Sequence, residues 1–388
     1  MTAAYKTANI EVITDTKSAV LDSLGRYEFA NFLRAIAVIS VVFGGHFVVV
    51  FWFYTIAAFQ LLGIDMPPVI VPPNWLTLLH APSFNYGQFG VAIFFLISGF
   101  VIPFSCTKLN QKAFVTVRAF RIYPTYWVGL TFSLITLLYL NSNNENLGFY
   151  NIGLQYLLVR DMAWIPSLDG ISWTLEIELK FYIICAIISS IIIQANLKRL
   201  FVIIFILGCL SAVSGYSSFV QFVQPWSSVI NSISLSAHFI IYMFIGTFFY
   251  WNCCNKLDTK TLYISIMIVF IWFSVVWSVN GILKSSWSTG MINYFVAFLC
   301  FYLFYNFRNF IKTPRVFKWF ADVSFSLYVV HPIVGYALLY YFAYVRQEDA
   351  FLSIVFTSII VLILAQIINK LIEVPSNKLG KKIAGRFI

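Results

Sequence analysis

Two ionisable side chains, Arg34 and His46, lie within the first long apolar run of the sequence. A charged side chain at the centre of a membrane span costs about 2.5 to 3.5 kcal/mol on insertion scales, so its presence needs a reason. A guanidinium offers a planar fork of donors to phosphate, and an imidazole accepts a proton near neutral pH. We interpret Arg34 as a candidate anion ligand and His46 as a candidate general base. The alternatives are an Arg34 that snorkels to the headgroups and a neutral, structural His46.

A second polar group interrupts the apolar run SWTLEIELKFY at 172–182, where Glu176, Glu178 and Lys180 occur together. Glu176 and Lys180 are four residues apart and can pair on one helix face, which leaves Glu178 without a partner in its own helix. A buried carboxylate of this kind is a candidate to orient a histidine or to relay its proton. An interfacial Glu178 that meets water is the alternative.

Arg118 and Arg121 are three residues apart at the start of another apolar run, with Lys108 and Lys112 shortly before them. This spacing presents both guanidinium groups on one helix face, where they can bind one anionic ligand. Basic residues also flank membrane spans on the cytoplasmic side without binding anything. The spacing alone leaves both interpretations open.

Three other histidines lie in or near apolar runs. His331 precedes Pro332 in SFSLYVVHP, so it is predicted to be embedded in the membrane beside a helix kink. His80 and His238 are predicted near the outer surface, and we assign them no role.

The helices that must position these groups are predicted to span a bilayer. The 388 residues are 60% hydrophobic, 19% aromatic and 10% charged, and soluble domains average about 25% charged. This composition excludes a soluble, disordered, collagen-like, coiled-coil or disulfide-scaffold protein. Each crossing takes about 20 apolar residues. Ten segments qualify, near 32–58, 88–104, 120–140, 173–193, 200–214, 233–250, 261–279, 292–307, 322–341 and 351–373.

The distribution of basic residues predicts the orientation. Twenty of the 25 lysines and arginines lie on the side of the N-terminus, and only Arg160, Lys284 and Arg346 lie in the opposite loops. Because cytoplasmic loops carry the excess of positive charge, both termini are predicted to be cytoplasmic. The net charge of +10 is therefore explained by topology, and we expect no nucleic-acid partner.

The chain is thus predicted to be an all-α polytopic membrane protein with about ten transmembrane helices. Residues 1–29 are predicted to be a cytoplasmic N-terminal tail that is retained, because no short apolar stretch in it ends in a cleavage-type site. Residues 30–375 form the transmembrane domain, and residues 376–388 form a basic cytoplasmic C-terminal tail. The outer loops 59–87 and 141–171 are rich in Asn, Pro and aromatic residues, which suit a sugar.

Six strings, in order along the chain, resemble the membrane acyltransferase family 3. This family includes O-acetyltransferases of lipopolysaccharide O-antigen, exopolysaccharides and nodulation factors. One such string would be weak evidence, but six in sequence are specific. The strings are LRAIAVISVVFGGHF at 33–47, GVAIFFLISGFVI at 90–102, RAFRIYPTYW at 118–127, SWTLEIELKFY at 172–182, SFSLYVVHP at 324–332 and EVP at 373–375.

The resemblance implies a multi-pass enzyme of the bacterial inner membrane. Such an enzyme takes an acyl group, usually acetyl from cytoplasmic acetyl-CoA, and places it on a hydroxyl of an extracytoplasmic glycan or its lipid-linked precursor. Residues 30–375 would be the acyltransferase domain, with acetyl-CoA as co-substrate and no metal. Some relatives carry a fused secreted domain, so a separate periplasmic partner is also left open.

The resemblance also carries residue roles by position. Arg34 and His46 match the family's Arg and His of the first span, Arg118 and Arg121 match its two-arginine motif, and Glu178 matches its Glu before Phe-Tyr. We therefore expect His46, oriented by Glu178, to deprotonate the acceptor hydroxyl. The three arginines are expected to hold the coenzyme phosphates.

The spacing in the first span departs from the family. Family members usually have ten residues between the Arg and the His, and here eleven intervene, which leaves His46 about 120° around an α-helix from Arg34. We expect a π-bulge near Gly44 and Gly45 to absorb the extra residue.

Other functions are compatible with the same residues. Buried His, Glu and Arg also line the pathways of transporters and flippases for glycans or organic anions. A non-enzymatic assembly partner is a third class, and it would consume no thioester. For an enzyme, a covalent acyl intermediate on Ser98 is a further mechanism, although close helix packing beside Gly99 is the better explanation of that serine.

Overall fold

A computed structural model describes residues 28–68, 71–143, 147–214 and 226–387. Within these ranges the chain is all-helical and contains no strand. Its helices are α1 Glu28–Phe53, α2 Thr55–Leu62, α3 Asn74–Thr77, α4 Tyr86–Cys106, α5 Gln111–Tyr139, α6 Phe149–Leu157, α7 Ser172–Ile187, α8 Ser189–Ile193, α9 Leu197–Val213, α10 Ser227–Cys253, α11 Thr259–Val279, α12 Trp287–Asn306, α13 Arg315–Tyr340, α14 Ala350–Ile368 and α15 Val374–Ala384.

Seven of the described helical segments are long and apolar enough to cross a membrane. They are α1, α4, α10, α11, α12 and α13, together with the continuous run of α14 and α15. The other three predicted spans coincide with α5, α7 and α9. α5 has 29 residues but carries three basic side chains, and α7 and α9, with 16 and 17 residues, fall short of the usual length. The count of ten and the cytoplasmic termini therefore stay predictions.

The centre of the bundle is a close crossing of α4 and α10. A side chain at Gly99 would meet the backbone of Met243, and one at Gly246 would meet the backbone of Leu96. The hydroxyl of Thr247 donates to the carbonyl of Gly99 at 3.1 Å. Small residues let two helix backbones approach in this way, which places α4 in the interior with its polar groups facing neighbouring helices.

The expected irregularity in α1 is confirmed as a π-helical stretch over Ser40–Val50. A π-helix bonds i to i+5, so each residue advances about 80° instead of the 100° of an α-helix. Over the six steps from Ser40 to His46 the deficit is about 120°, which cancels the offset predicted for a regular helix. Arg34 and His46 therefore lie on one face of α1, and both approach α13.

The C-terminal segment is helical and docks on α5, with Gly380 of α15 against the ring of Phe120. Before it, Glu373 of the EVP string accepts hydrogen bonds from Ser326 at 2.6 Å and Asn369 at 3.0 Å. The predicted tail 376–388 therefore begins within a packed helix. Most of the predicted N-terminal tail, residues 1–27, lies outside the described residues.

Candidate functional site

Three charged side chains from three helices line one internal cavity, which we call the arginine cavity. Arg34 comes from α1, Arg121 from α5 and Glu178 from α7, and the uncharged polar lining is Ser98, Thr174, Ser324 and Tyr328. Two guanidinium groups against one carboxylate leave a net positive charge in the lining, which suits an anionic ligand. The structure thus brings together three of the five residues that the sequence predicts for the site.

The local fold explains how Glu178 reaches this cavity. The segment before α7 turns at Gly170, whose φ of +74° favours glycine, and the carboxylate of Asp169 accepts from the backbone N–H groups of Ile171 and Ser172. These bonds satisfy the free N–H groups at the start of α7. Thr174 and Glu178, four residues apart, then face the cavity together.

Glu178 does not make the contact to His46 that the sequence suggested. Its Oε1 accepts hydrogen bonds from Ser98 at 2.9 Å and from Tyr182 at 2.6 Å. Ser98, considered in the sequence as a packing residue or a nucleophile, is thus a polar neighbour of this carboxylate. The reason is tertiary, because α7 turns Glu178 toward α4 and the arginines, while the hydrogen bond of the His46 ring goes to α13.

Arg118 lies beside the arginine cavity rather than in its lining. Its guanidinium donates to the hydroxyl of Ser105 and packs over the rings of Phe114 and Tyr182, at 5.5 and 5.3 Å from their centroids. The side chain is only 6% exposed. Arg118 and Arg121 therefore do not present two equivalent guanidinium groups to one surface, although Tyr182 links Arg118 to Glu178.

The ring of His46 is held inside the protein by two aromatic side chains of α13. Its Nδ1 shares a hydrogen bond of 2.6 Å with the hydroxyl of Tyr336, and its ring centroid lies 4.5 Å from that of His331 in an edge-to-face arrangement. The imidazole therefore faces its neighbours in the bundle rather than lipid. Tyr336 takes the orienting position that the sequence assigned to Glu178.

His331 has a defined protonation pattern. Its Nδ1 lies 2.8 Å from the carbonyl oxygen of Tyr328, and a carbonyl can only accept, so Nδ1 carries the proton. Nε2 then presents a lone pair, and this atom is buried without a hydrogen-bond partner among the described residues. The pair of imidazoles thus contains a nitrogen that can accept a proton.

Tyr328 connects the histidine pair to the arginine cavity. Its ring lines that cavity and lies 5.6 Å from the ring of His331, and its hydroxyl shares a hydrogen bond of 2.8 Å with Thr174. Tyr328, His331 and His46 therefore form a continuous row of rings that begins at the charged groups.

Sequence reasoning identified His331 as embedded but gave it no role, and it missed Tyr328 and Tyr336. The positions of two of these on α13 hold a usable signal. Residues 328 and 331 are three apart and share a helix face, whereas residue 336 lies about 140° around a regular helix from 331. Which helix that face meets could not be read from the spacing.

The predicted ion pair between Glu176 and Lys180 is wrong. Glu176 pairs with Arg160 at 3.0 Å, and Lys180 pairs with Asp161. Arg160 and Asp161 come from a short 3-10 helix, Arg160–Ala163, that packs against α6 and α10 and reaches α7 through these two ion pairs. The predicted pair within α7 does not form because this loop offers Arg160 to Glu176 and Asp161 to Lys180. These partners lie outside α7, so its sequence alone could not reveal them.

Size limits what the arginine cavity can accept. Its volume is about 90 Å³, while pockets that enclose whole small molecules have about 300 to 1,000 Å³. The cavity therefore suits a slender group such as an acyl chain on a thin arm. A bulky nucleotide end would lie outside it.

Comparison with known proteins gives two matches. Residues 27–370 match a family model described as an acyltransferase domain. The chain is also 30% identical over 118 residues to Nodulation protein 10 of Rhizobium leguminosarum bv. viciae, an alignment that covers 24% of this chain and 31% of that protein. The chain thus spans about a third of the length of this relative. No solved structure matches.

Proposed function

The chain belongs to the membrane acyltransferase family 3, and on that premise we propose that it is an O-acyltransferase of the bacterial inner membrane. The acyl donor is a cytoplasmic acyl-CoA, in the first place acetyl-CoA, and the acceptor is a hydroxyl of an extracytoplasmic glycan or lipid-linked saccharide. The observation that carries the proposal is the row of groups from Arg34 and Arg121 through Tyr328 to the histidine pair.

Donor binding follows from charge and size. Coenzyme A carries several phosphate charges, and arginines bind phosphate with paired, charge-assisted hydrogen bonds. Arg34 and Arg121 attract these phosphates to the mouth of the arginine cavity, and Arg118 adds positive charge beside it. The acyl end of the thin pantetheine arm then enters the cavity. Glu178 limits the repulsion between the two arginines and fixes Ser98 and Tyr182.

Acyl transfer needs one proton acceptor. The acceptor oxygen attacks the thioester carbonyl, the C–S bond breaks, and the products are an ester and a thiol. His46 takes the proton from the hydroxyl, and the same proton then passes to the departing thiolate. Tyr336 fixes the orientation of the His46 ring, and the free Nε2 of His331 offers a second acceptor at short range.

Labelled substrate tests this proposal. Membranes that contain the protein are incubated with acetyl-CoA labelled in the acetyl group, and label is measured in glycan, lipid and protein fractions. We expect label in a saccharide fraction, released by mild base as an ester would be. A parallel incubation with labelled succinyl-CoA tests the choice of donor.

The alternative of a transporter or flippase predicts a different result. Such a protein would move a saccharide or organic anion across the membrane without consuming thioester. Free thiol release that depends on the protein would exclude it, and saccharide movement without thiol release would contradict the proposed transfer.

A further inference from the structure

A second internal cavity lies on the opposite side of α7 from the arginine cavity. We call it the tryptophan cavity, because Trp164, Trp173 and Trp277 contribute to its lining. Its volume is about 520 Å³, which is within the range of pockets that enclose small molecules. Size alone therefore allows a ligand as large as a sugar.

Four polar atoms of this lining are buried and have neither a hydrogen-bond partner nor an ion-pair partner in the described part of the chain. They are Nε of Arg160, Oδ1 of Asp161, Oε1 of Glu176 and Oγ of Ser236. The side chains of Glu176 and Ser236 are 1% and 2% exposed. Buried polar atoms are normally paired, so four unpaired atoms around one cavity indicate that something else satisfies them.

The charges around the cavity select the chemical class of this ligand. Arg160 pairs with Glu176 and Lys180 pairs with Asp161, so the two cations and two anions balance. Lys180 does not line the cavity itself but neutralises Asp161 from beside it, so the paired charges favour neither an anion nor a cation. The free atoms comprise donors and acceptors, and a hydroxyl both donates and accepts. An uncharged ligand with several hydroxyls therefore fits better than a charged one.

The aromatic side chains supply the flat apolar surface that a sugar-binding site also needs. Trp164 is 43% exposed, and its φ of +56° places a bulky residue in the left-handed region, where strain is expected. Trp173 packs against Phe239 with ring centroids 5.7 Å apart, and Trp277 is buried. An indole ring offers a flat apolar face with a polar edge, on which the C–H face of a sugar ring can stack.

Two residue contacts connect the wall of the tryptophan cavity to the groups of the proposed reaction. Gln88, in the first turn of α4, lines the cavity, and the neighbouring Gly87 lies against Gly45 of the π-helical stretch, one residue from His46. On the other side, the ring of Trp173 lies edge to face against that of Phe95, which lines the arginine cavity. One layer of residues therefore separates this cavity from the arginine cavity.

We propose that the tryptophan cavity binds an uncharged sugar ring of the acceptor, stacked on Trp164 and hydrogen-bonded by Arg160, Asp161, Glu176 and Ser236. This inference rests on the proposed acyl transfer, and it names the subsite that holds the acceptor. The predicted outer loop 141–171 supplies three of the five residues.

Acceptor kinetics test the inference on the full-length protein in membranes. The acceptor is glycan isolated from cells that lack this protein, titrated at saturating labelled acetyl-CoA. Ser236→Ala and Trp164→Ala are expected to raise the KM for this glycan about tenfold. The kcat and the KM for acetyl-CoA should stay within about twofold of wild type, because the lost contacts bind the glycan equally in the ground state and in the transition state. Ser236→Ala removes an atom that has no hydrogen-bond partner among the described residues, so we expect folding to be preserved even if Trp164→Ala fails to fold.

Two matched controls accompany these variants. Trp226→Ala removes another exposed tryptophan, and Thr357→Val removes another buried hydroxyl that has no partner among the described residues. Neither residue lines the arginine cavity or the tryptophan cavity. Both variants are expected to keep the wild-type KM for glycan.

Each other outcome overturns the inference. If wild-type protein transfers label and both variants keep the wild-type KM for glycan, the cavity does not bind the acceptor, and the proposed function stands. If the variants lower kcat at unchanged KM for glycan, the residues act structurally. If wild-type protein transfers no label to glycan, the proposed function fails first, and the subsite falls with it.

Discussion

At the scale of single residues, the proposed chemistry rests on a pair of imidazoles rather than on one histidine with a carboxylate. His46 is oriented by Tyr336, and His331 is fixed by the carbonyl of Tyr328 with its Nε2 free. Glu178, four helix positions from the cavity residue Thr174, lines the arginine cavity with Arg34 and Arg121. In the proposed mechanism, donor binding and proton transfer therefore use different groups.

Replacing His46 by Phe keeps an aromatic ring and removes the proton acceptor. We expect acyl transfer to glycan to fall about 10²- to 10⁴-fold, the usual contribution of a general base. Insertion and thermal stability should change little by comparison. The measurement is the initial rate of label transfer at saturating donor and acceptor.

His238 provides the matched control for this substitution. It is fully buried, stacks on Phe273 at 4.4 Å, and neither ring nitrogen has a hydrogen-bond partner among the described residues. His238→Phe should therefore retain activity. Equal losses in the two variants would mean that the fold, and not the base, had been damaged.

Arg121→Ala removes a guanidinium from the arginine cavity. Hydrogen bonds to charged groups contribute about 1.5 to 3 kcal/mol, so the KM for acetyl-CoA should rise about 10- to 100-fold. Arg118→Ala should act in the same direction but less strongly, because Ser105 and Tyr182 already engage that side chain. Steady-state kinetics with acetyl-CoA as the varied substrate measure both effects.

Arg315→Ala is the control, since Arg315 is an exposed arginine at the start of α13. It should leave the KM for acetyl-CoA unchanged. If Arg121→Ala also leaves it unchanged, the two-arginine motif serves membrane topology alone.

At the scale of elements, α1 sets the relative direction of its two functional groups. The π-helical stretch Ser40–Val50 contains both Gly44 and Gly45, and each approaches α4 closely. A wider helix turn here turns His46 toward His331 while Arg34 stays in the arginine cavity. The direction of Arg34 and the direction of His46 are thus both set by the helical geometry of α1.

Deleting Gly44 tests whether Arg34 and His46 must lie on one face of α1. A regular α-helix with ten residues between Arg34 and His46 again places both on one face, within about 20°. We therefore expect the deletion to retain acyl transfer within about tenfold, since helix phase is conserved. Initial rates of label transfer decide the result.

The opposite change, one Ala inserted after Phe43, adds about 100° of rotation that a regular helix cannot absorb. This variant should lose activity although its composition is almost unchanged. Wild-type activity in the insertion variant would show that Arg34 and His46 need not lie on one helix face.

At the scale of the whole molecule, the crossing of α4 and α10 holds the site together. Both cavities include residues of α4, and α10 also lines the tryptophan cavity. The crossing places the backbones of Gly99 and Gly246 in contact, without side chains between them. Any widening there would separate the walls of both cavities.

Gly246→Ala introduces a methyl group against the backbone of Leu96 and Phe100. Overpacking of this kind costs about 1 to 3 kcal/mol, so we expect a lower unfolding temperature and reduced transfer. Gly153→Ala is the control, because no atom lies within 4 Å of the added carbon. It should leave the unfolding temperature unchanged or slightly higher. Equal unfolding temperatures in the two variants would contradict a tight crossing.

The sequence by itself determined the class of the molecule and much of its site. Composition and run lengths predict an all-helical membrane protein because the bilayer requires long apolar helices. The rarity of charge in these helices singles out Arg34, Arg118, Arg121 and Glu178, and all of them except Arg118 line one cavity. The one residue more than the family's spacing between Arg34 and His46 predicts the π-helical stretch. This prediction needs no tertiary contact, because the angle between two residues of one helix depends only on the number of residues between them and on the type of helix.

Only the tertiary structure decided which groups become partners. Glu176 pairs with Arg160 and not with Lys180, Tyr336 and not Glu178 contacts His46, and the tryptophan cavity forms where a loop meets α7 and α10. Each of these contacts joins helices distant in sequence. Spacing along a helix fixes which residues share a face, but the packing of whole helices fixes what that face meets.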